Sequence, residues 1–187
     1  MHWRRMLSCY VFTLLEILAS RFDVFERLLT RWRETVFRKE IDLLRIDKTE
    51  KVLHIGCGAF PSASLIIARE RHARVVGIDN NSIAVKLAQS YVRRKKLSSL
   101  ITIEQAEGTR YPLRDFDVIF IAINVWPIDK VLSHCASDMK PAARILVKGT
   151  HDDLTALFQK DEFRAAFSIT QKLTHPKTQS FVLTQKP

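Results

Sequence analysis

Val52-Leu53-His54-Ile55-Gly56-Cys57-Gly58-Ala59-Phe60-Pro61-Ser62 joins an apolar, strand-forming run to a Gly-x-Gly turn and then to a helix start. Gly56 and Gly58 permit backbone dihedrals and close ligand approach that side chains block, and Pro61 suits a first helical turn. Exposed amides at such a start favour a negatively charged group. Asp79 ends the next apolar run, about twenty residues on, where a carboxylate can accept hydrogen bonds from two vicinal ribose hydroxyls. Glycine turn and acid together indicate an adenosine-bearing ligand.

Which ligand turns on a third glycine, because a dinucleotide's pyrophosphate needs close helix–strand packing there. Pro61 stands in its place, which favours S-adenosylmethionine (SAM). In Ile103-Glu104-Gln105-Ala106-Glu107-Gly108, after a third strand-like run, Glu107 is placed to accept from an adenine amino group; its plainer reading is an exposed loop carboxylate. Asn124 and Trp126 follow a central strand, where ligands bind in open α/β sheets, and are candidates to touch the acceptor or SAM. Their alternative is a turn shaped by Trp126-Pro127. Tyr10, Glu16, Tyr111 and His151 are candidates, by position alone, to take a proton from an acceptor amine. His54, on a buried strand, reads as a hydrogen-bonded core histidine, His134 as a helix residue, and Cys57 as a tolerated small side chain.

These residues need elements to hold them. From Met1 to Asp47 there is no proline or glycine, and apolar residues from Leu7 to Phe37 recur at three- and four-residue intervals, the pattern of amphipathic helix divided near Ser20–Asp23. We expect residues 1–47 to form a helical cap or lid, with a membrane-lying helix or a homodimer face as alternatives. Arg31, Arg33, Arg38 and Lys39 then form a solvated face. After Asp47-Lys48-Thr49-Glu50 the pattern becomes short apolar runs alternating with helices, the signature of a parallel sheet with crossover helices. It predicts strands at Lys51–Ile55, Arg74–Ile78, Ile101–Glu104, Asp117–Ala122, Arg144–Val147, Ile169–Leu173 and Phe181–Thr184. The predicted helices cover Ser62 to Arg71, Ser82 to Lys96, Ile128–Met139 and Leu154–Phe163. The run Arg93-Arg94-Lys95-Lys96 suits the negative end of a helix dipole.

A length of 187 residues with 47% apolar content fits one main domain and excludes disordered and collagen-like classes. Thirty Lys and Arg against twenty Asp and Glu give +10, a surface that attracts anions, whether an acidic ligand, a membrane surface or nucleic acid. There is no clear nucleic-acid motif, since aromatic residues are not interleaved with the basic ones. Cys9, Cys57 and Cys135 lie far apart, without metal-ligand spacing, so no metal is expected and a reducing, cytoplasmic setting fits. The apolar stretch Met6–Ala19 carries Glu16 and falls short of the roughly 20 apolar residues that span a bilayer.

From Lys48 to Pro187 the chain resembles the class I SAM-dependent methyltransferases, through Val-Leu-His-Ile-Gly-Cys-Gly, Val-Gly-Ile-Asp79, the Glu107 loop, Phe116-Asp117-Val-Ile-Phe and the Lys140-Pro141 turn. That resemblance implies a three-layer, Rossmann-like α/β fold: a mostly parallel seven-stranded sheet with its last strand antiparallel, plus the N-terminal helical extension. It carries Gly56, Cys57 and Gly58 to the methionine moiety of SAM, Asp79 to the ribose, and Glu107 to the adenine. Asn80 would lie near the adenine ring, and Ile123-Asn124-Val125-Trp126 near the reacting centre. Many members have an acid at His54 and a glycine at Phe60. The run Gly-Cys-Gly-Ala-Phe-Pro-Ser-Ala-Ser resembles the Gly-x-Gly-x-x-Pro-x-x-Ser turn of nicotianamine synthases and related opine-metallophore synthases, as does the closing Thr174-His175-Pro176…Ser180-Phe181-Val182. The leading expectation is methyl transfer to a small-molecule acceptor. Transfer of the aminocarboxypropyl arm of SAM to an amine, or a non-catalytic module that binds nucleic acid or membrane, are the alternatives.

Overall fold

The computed structural model describes the backbone of residues 23–186 and the side chains of residues 34–186. Helix α1 (Asp23–Leu44) leads into β1 (Lys51–Ile55), α2 (Ser62–Ile66), β2 (Arg74–Asp79), α3 (Ser82–Arg94), β3 (Ile101–Gln105) and β4 (Val118–Ile121). Then come α4 (Ile128–Asp138), β5 (Arg144–Thr150), α5 (His151–Leu157), α6 (Asp161–Ala166), β6 (Phe167–Thr174) and β7 (Thr178–Gln185). The strands form one seven-stranded sheet in the order β3-β2-β1-β4-β5-β7-β6. The pairs from β3 through β5 are parallel, and β7 runs antiparallel to both β5 and β6. This is the expected three-layer Rossmann-like arrangement.

Helices cover both faces, so the central strands read as unbroken apolar runs. Alternation then sorts them: Val118 and Phe120 join the core under α1, α2 and α3, whereas Ile119 and Ile121 join the core under α4, α5 and α6. Ile41 and Leu44 of α1 are fully buried in the first of these cores. Ile55 is in register with Ile78 and Ile121, and Ile121 with Val147, so β1, β2 and β4 finish close to one level and β5 runs three residues past it. The chain leaves β1 toward β2 and β3 and returns on its other side with β4. That switch point opens a crevice at the carboxyl ends.

Three local outcomes differ from the sequence reading. The helix expected over Leu154–Phe163 is two helices. α5 starts earlier because the Thr150 hydroxyl caps the Asp153 amide at 3.2 Å, and a new start at Asp161-Glu162 places two acids at the positive end of α6. The helix expected to Arg71 finishes as a π turn over Ile67–Arg71, closed by His72 in the left-handed region with φ 55°. The hairpin connection expected over Thr174–Gln179 shrinks to 175–177, pinned by the His175 amide donating to the Thr178 carbonyl at 2.8 Å. The basic run ends α3 as expected: Arg93 and Arg94 occupy its last turn and Lys95 its C-cap. No described helix is long and apolar enough to cross a membrane.

Candidate functional site

Gly56 and Gly58 adopt left-handed φ values of 76° and 67°, which only glycine takes without strain. A Cβ on Gly56 would lie 2.5 Å from Val125 Cγ2, so the β4–α4 loop closes directly on this turn. The turn's amides face inward. Gly56 and Cys57 both donate to the Ile78 carbonyl, at 2.9 and 3.0 Å, and Gly58 donates to Asp79 Oδ2 at 2.9 Å. The expectation of exposed amides for an anion is therefore corrected: the protein satisfies these donors itself, as buried amides require. Helix α2, five residues long and wholly buried, adds no open N-terminus. What the turn offers a ligand is the absence of side chains.

Asp79 is half-buried at the end of β2, and its other oxygen, Oδ1, accepts from the Asn81 amide at 2.9 Å. The carboxylate thus ties the glycine turn to the start of α3, whose first amides are capped by the Asn81 side chain. A carboxylate has about four lone-pair sites, so each oxygen keeps acceptor capacity for a ligand hydroxyl. The Asp79 carbonyl accepts from the Ala106 amide at 3.1 Å, which fixes the β3 exit loop beside it. Asn80 is exposed, and its carbonyl accepts from Gln105 Nε2 at 3.3 Å. Glu107 is exposed, 3.9 Å from Arg110, and its carbonyl accepts from the Arg110 and Tyr111 amides. Past β4, Ile123 and Asn124 are exposed and Trp126 is 71% exposed. Gly56, Cys57, Gly58, Asp79, Asn80, Glu107, Ile123, Asn124 and Trp126 all lie on segments leaving the carboxyl ends of β1 to β4.

The proposed proton acceptors fare differently. Tyr111 donates its hydroxyl to Glu104 Oε2 at 2.8 Å, and burial, reinforced by that carboxylate, pushes its pKa up to about 12. A phenol so held keeps its proton, and this corrects its reading as a base. His151 opens α5, and its Nε2 donates to the His175 carbonyl at 2.9 Å, a contact that holds the hairpin turn. Tyr10 and Glu16 lie outside the described residues. His54 is buried, with Nδ1 2.8 Å from Ser64 Oγ and its ring edge-on to Phe120, as a core histidine should be. His134 Nε2 donates to the Tyr111 carbonyl from α4, also as expected.

Sequence reasoning missed one cluster. Glu40 of α1 has no exposed surface, and its Oε1 accepts from Lys148 Nζ of β5 at 2.8 Å and Ser180 Oγ of β7 at 2.7 Å. His175 Nε2 lies 3.8 Å from the same oxygen. Lys148 also stands 5.0 Å above the Phe37 ring, which in turn packs on Phe120. The available signal was an acid inside the apolar stripe of Phe37, Ile41 and Leu44.

The family model described as nicotianamine synthase protein matches residues 32–186. A demethylmenaquinone methyltransferase of Thermotoga maritima is 26% identical over 138 residues, covering 72% of this chain and 58% of the relative. An L-histidine 2-aminobutanoyltransferase of Pseudomonas aeruginosa is 31% identical over 117 residues, covering 59% of this chain and 43% of the relative. The chain therefore spans less than two thirds of either relative's length. Among solved structures, MtNAS in complex with MTA and tNA superposes with a TM-score of 0.81 at 16% identity, covering 98% of this chain and 74% of that one. An RNA methyltransferase from Salinibacter ruber in complex with S-adenosyl-L-homocysteine gives 0.67 at 14% identity, covering 81% and 90%. At these identities the structural likenesses establish the fold, and the match over residues 32–186 establishes that the chain belongs to the nicotianamine synthase protein family.

Proposed function

We propose that the protein is a SAM-dependent transferase that moves the aminocarboxypropyl arm of SAM to an amine on a small molecule. The observation that carries the SAM site is Asp79: one carboxylate at the switch point braces the glycine turn and the start of α3 while keeping acceptor capacity outward. The residues present fit SAM. Asp79 would take the ribose hydroxyls, Asn80 and Glu107 the adenine, and the side-chain-free face at Gly56, Cys57 and Gly58 the methionine end. Ile123, Asn124 and Trp126 would border the reacting centre. Family membership supports arm transfer over the methyl transfer that leads from the motifs alone. Methyl transfer stays as a second reading because of the similarity to the Thermotoga methyltransferase.

SAM supplies a sulfonium, an activated leaving group. The protein's part is to hold a nucleophile in line with the transferred carbon and to exclude water. The attacking amine must be neutral, so a neighbouring acceptor for its proton helps. Residues 1–47 would serve as the cap over the acceptor, and a homodimer through the same helices would show as a doubled mass in sedimentation.

Titration calorimetry with SAM, methylthioadenosine and S-adenosylhomocysteine tests the site, with Asp79→Ala expected to abolish the heat. Turnover with an amine should release methylthioadenosine. Release of S-adenosylhomocysteine instead would replace arm transfer with methyl transfer, and no binding of any of the three would remove the enzyme reading.

A further inference from the structure

Glu40 is a fully buried carboxylate with only one of its oxygens engaged. Oε1 takes Lys148 and Ser180, whereas among the described residues Oε2 has no hydrogen-bond partner, and neither has the nearby buried His175 Nε2. An unpaired buried polar atom is costly, and more so on a charged group. His175 Nε2 lies 3.8 Å from Glu40 Oε1, and with the His175 proton on Nδ1 both buried atoms can accept from one donor molecule.

The place suits a reacting group. Lys148 follows Val147, which is in register with Ile121 and through it with Ile55, so the cluster stands at the level of Gly56 on the carboxyl edge of the sheet. It lies on the side covered by α1, where Leu146 and Val182 pack. Lys148 and His175 keep 12% and 17% of their side chains exposed, so the outer side of the cluster reaches the surface although Glu40 Oε2 and His175 Nε2 are themselves buried. Lys148 neutralises Glu40, so the pair can stay buried without an added cation, and the vacant acceptors suit a neutral N–H group better than a carboxylate or phosphate.

We infer that Glu40 Oε2 and His175 Nε2 form the seat of the acceptor's primary amine. This rests on the SAM-transferase reading and adds to it the group that holds the nucleophile. The amine nitrogen donates to both atoms. On attack its lone pair forms the N–C bond to the arm, the C–S bond breaks with its electron pair going to sulfur, and one proton passes from nitrogen to His175 Nε2. His175 then carries its other proton on Nδ1. Ser180 and Lys148 are positioning residues, since they act on the amine only through Glu40.

The test uses the full chain labelled with ¹³C and unlabelled probe amines, L-histidine, L-glutamate and putrescine, added in the presence of methylthioadenosine. The readout is the His175 ring C–H resonance, assigned by its loss in His175→Gln. At least one amine should shift it saturably, and the Nα-acetyl derivative of a responding amino acid should not. Glu40→Gln should weaken that response about tenfold or more, the scale expected for a hydrogen bond to a charged group, while leaving SAM binding by calorimetry unchanged. Silence of the resonance toward all three amines, an equal response to the acetylated probe, or an unaltered response in Glu40→Gln overturns the inference. The comparison of free with acetylated amine uses the unaltered protein, so it decides the matter even where Glu40→Gln fails to fold. Loss of SAM binding in the unaltered protein would instead overturn the reading beneath it.

Discussion

At the scale of single residues, Asp79 and the glycine turn form one unit. Gly58 donates its amide to Asp79, so Asp79→Ala removes both a ligand acceptor and a brace of the turn. Asp79→Asn is milder: its single oxygen can still accept the Gly58 amide, but its NH2 then faces the Asn81 amide, and an uncharged amide accepts ribose hydroxyls less well. Calorimetry should show weakened SAM binding in Asp79→Asn, and urea unfolding should show a loss of about 1 kcal/mol for the Asn81 contact, less than in Asp79→Ala, which loses both. Gly56→Ala should cost about 1–3 kcal/mol in urea unfolding, since the left-handed φ and the 2.5 Å approach to Val125 act together. Tyr111→Phe gives a contrast. Its phenol is a hydrogen-bond donor with a pKa of about 12, so its loss should lower stability by about 1 kcal/mol and leave the pH profile of turnover where it was. A displaced basic limb of that profile would restore Tyr111 as a proton acceptor.

At the scale of elements, the parallel strands were legible because burial on both faces writes them as continuous apolar runs, as in Val118-Ile119-Phe120-Ile121. The break between α5 and α6 was not, because the Thr150 cap works only once β5 delivers it there. Nor were the directions of the Gly56 and Cys57 amides, which the Ile78 carbonyl on a neighbouring strand decides. Glu40 was visible as an oddity in an apolar stripe, yet its partners come from β5, β7 and the hairpin turn, more than a hundred residues away in sequence. Helix α4 carries its own test. Cys135 is fully buried, and burial pushes its thiol pKa up to about 12. Its alkylation by iodoacetamide, followed by peptide mass spectrometry, should therefore appear only across the unfolding transition. Labelling in native buffer at the rate of a free thiol would show that α4 opens locally.

At the scale of the whole molecule, carboxylates at the amino edge of the sheet tie its layers together. Asp117 accepts from the Lys51 amide of β1 and from Lys140 after α4. Burial works to raise its pKa, yet those hydrogen bonds and the charges of Lys140 and Arg144 outweigh it and hold it below the ordinary value. Asp138 is lowered too, first by the Leu113 amide and then by Arg114. A carboxyl depressed in the folded state stabilises it above the unfolded pKa, and that stability fades as pH falls through the folded value. Asp117→Asn should thus lower the urea midpoint near pH 7, by the equivalent of about 1–3 kcal/mol, and the difference from the unaltered protein should shrink as pH falls below the ordinary Asp value of about 3.9. A constant difference across that range would assign the loss to geometry alone.

The antiparallel pairing at the far end of the sheet also bears on the order in which a growing chain can fold. β7 is the last described strand to leave the ribosome, yet it lies between β5 and β6. Until it emerges, β6 has no neighbour and β5 has one bare flank, and the seat at Glu40 lacks Ser180. The half of the sheet that would grip SAM can assemble during synthesis, whereas the half that would present the acceptor must wait for the final strand. A nascent chain stalled before Thr178 should accordingly already bind SAM while it exposes the bare flank of β5 to chaperones.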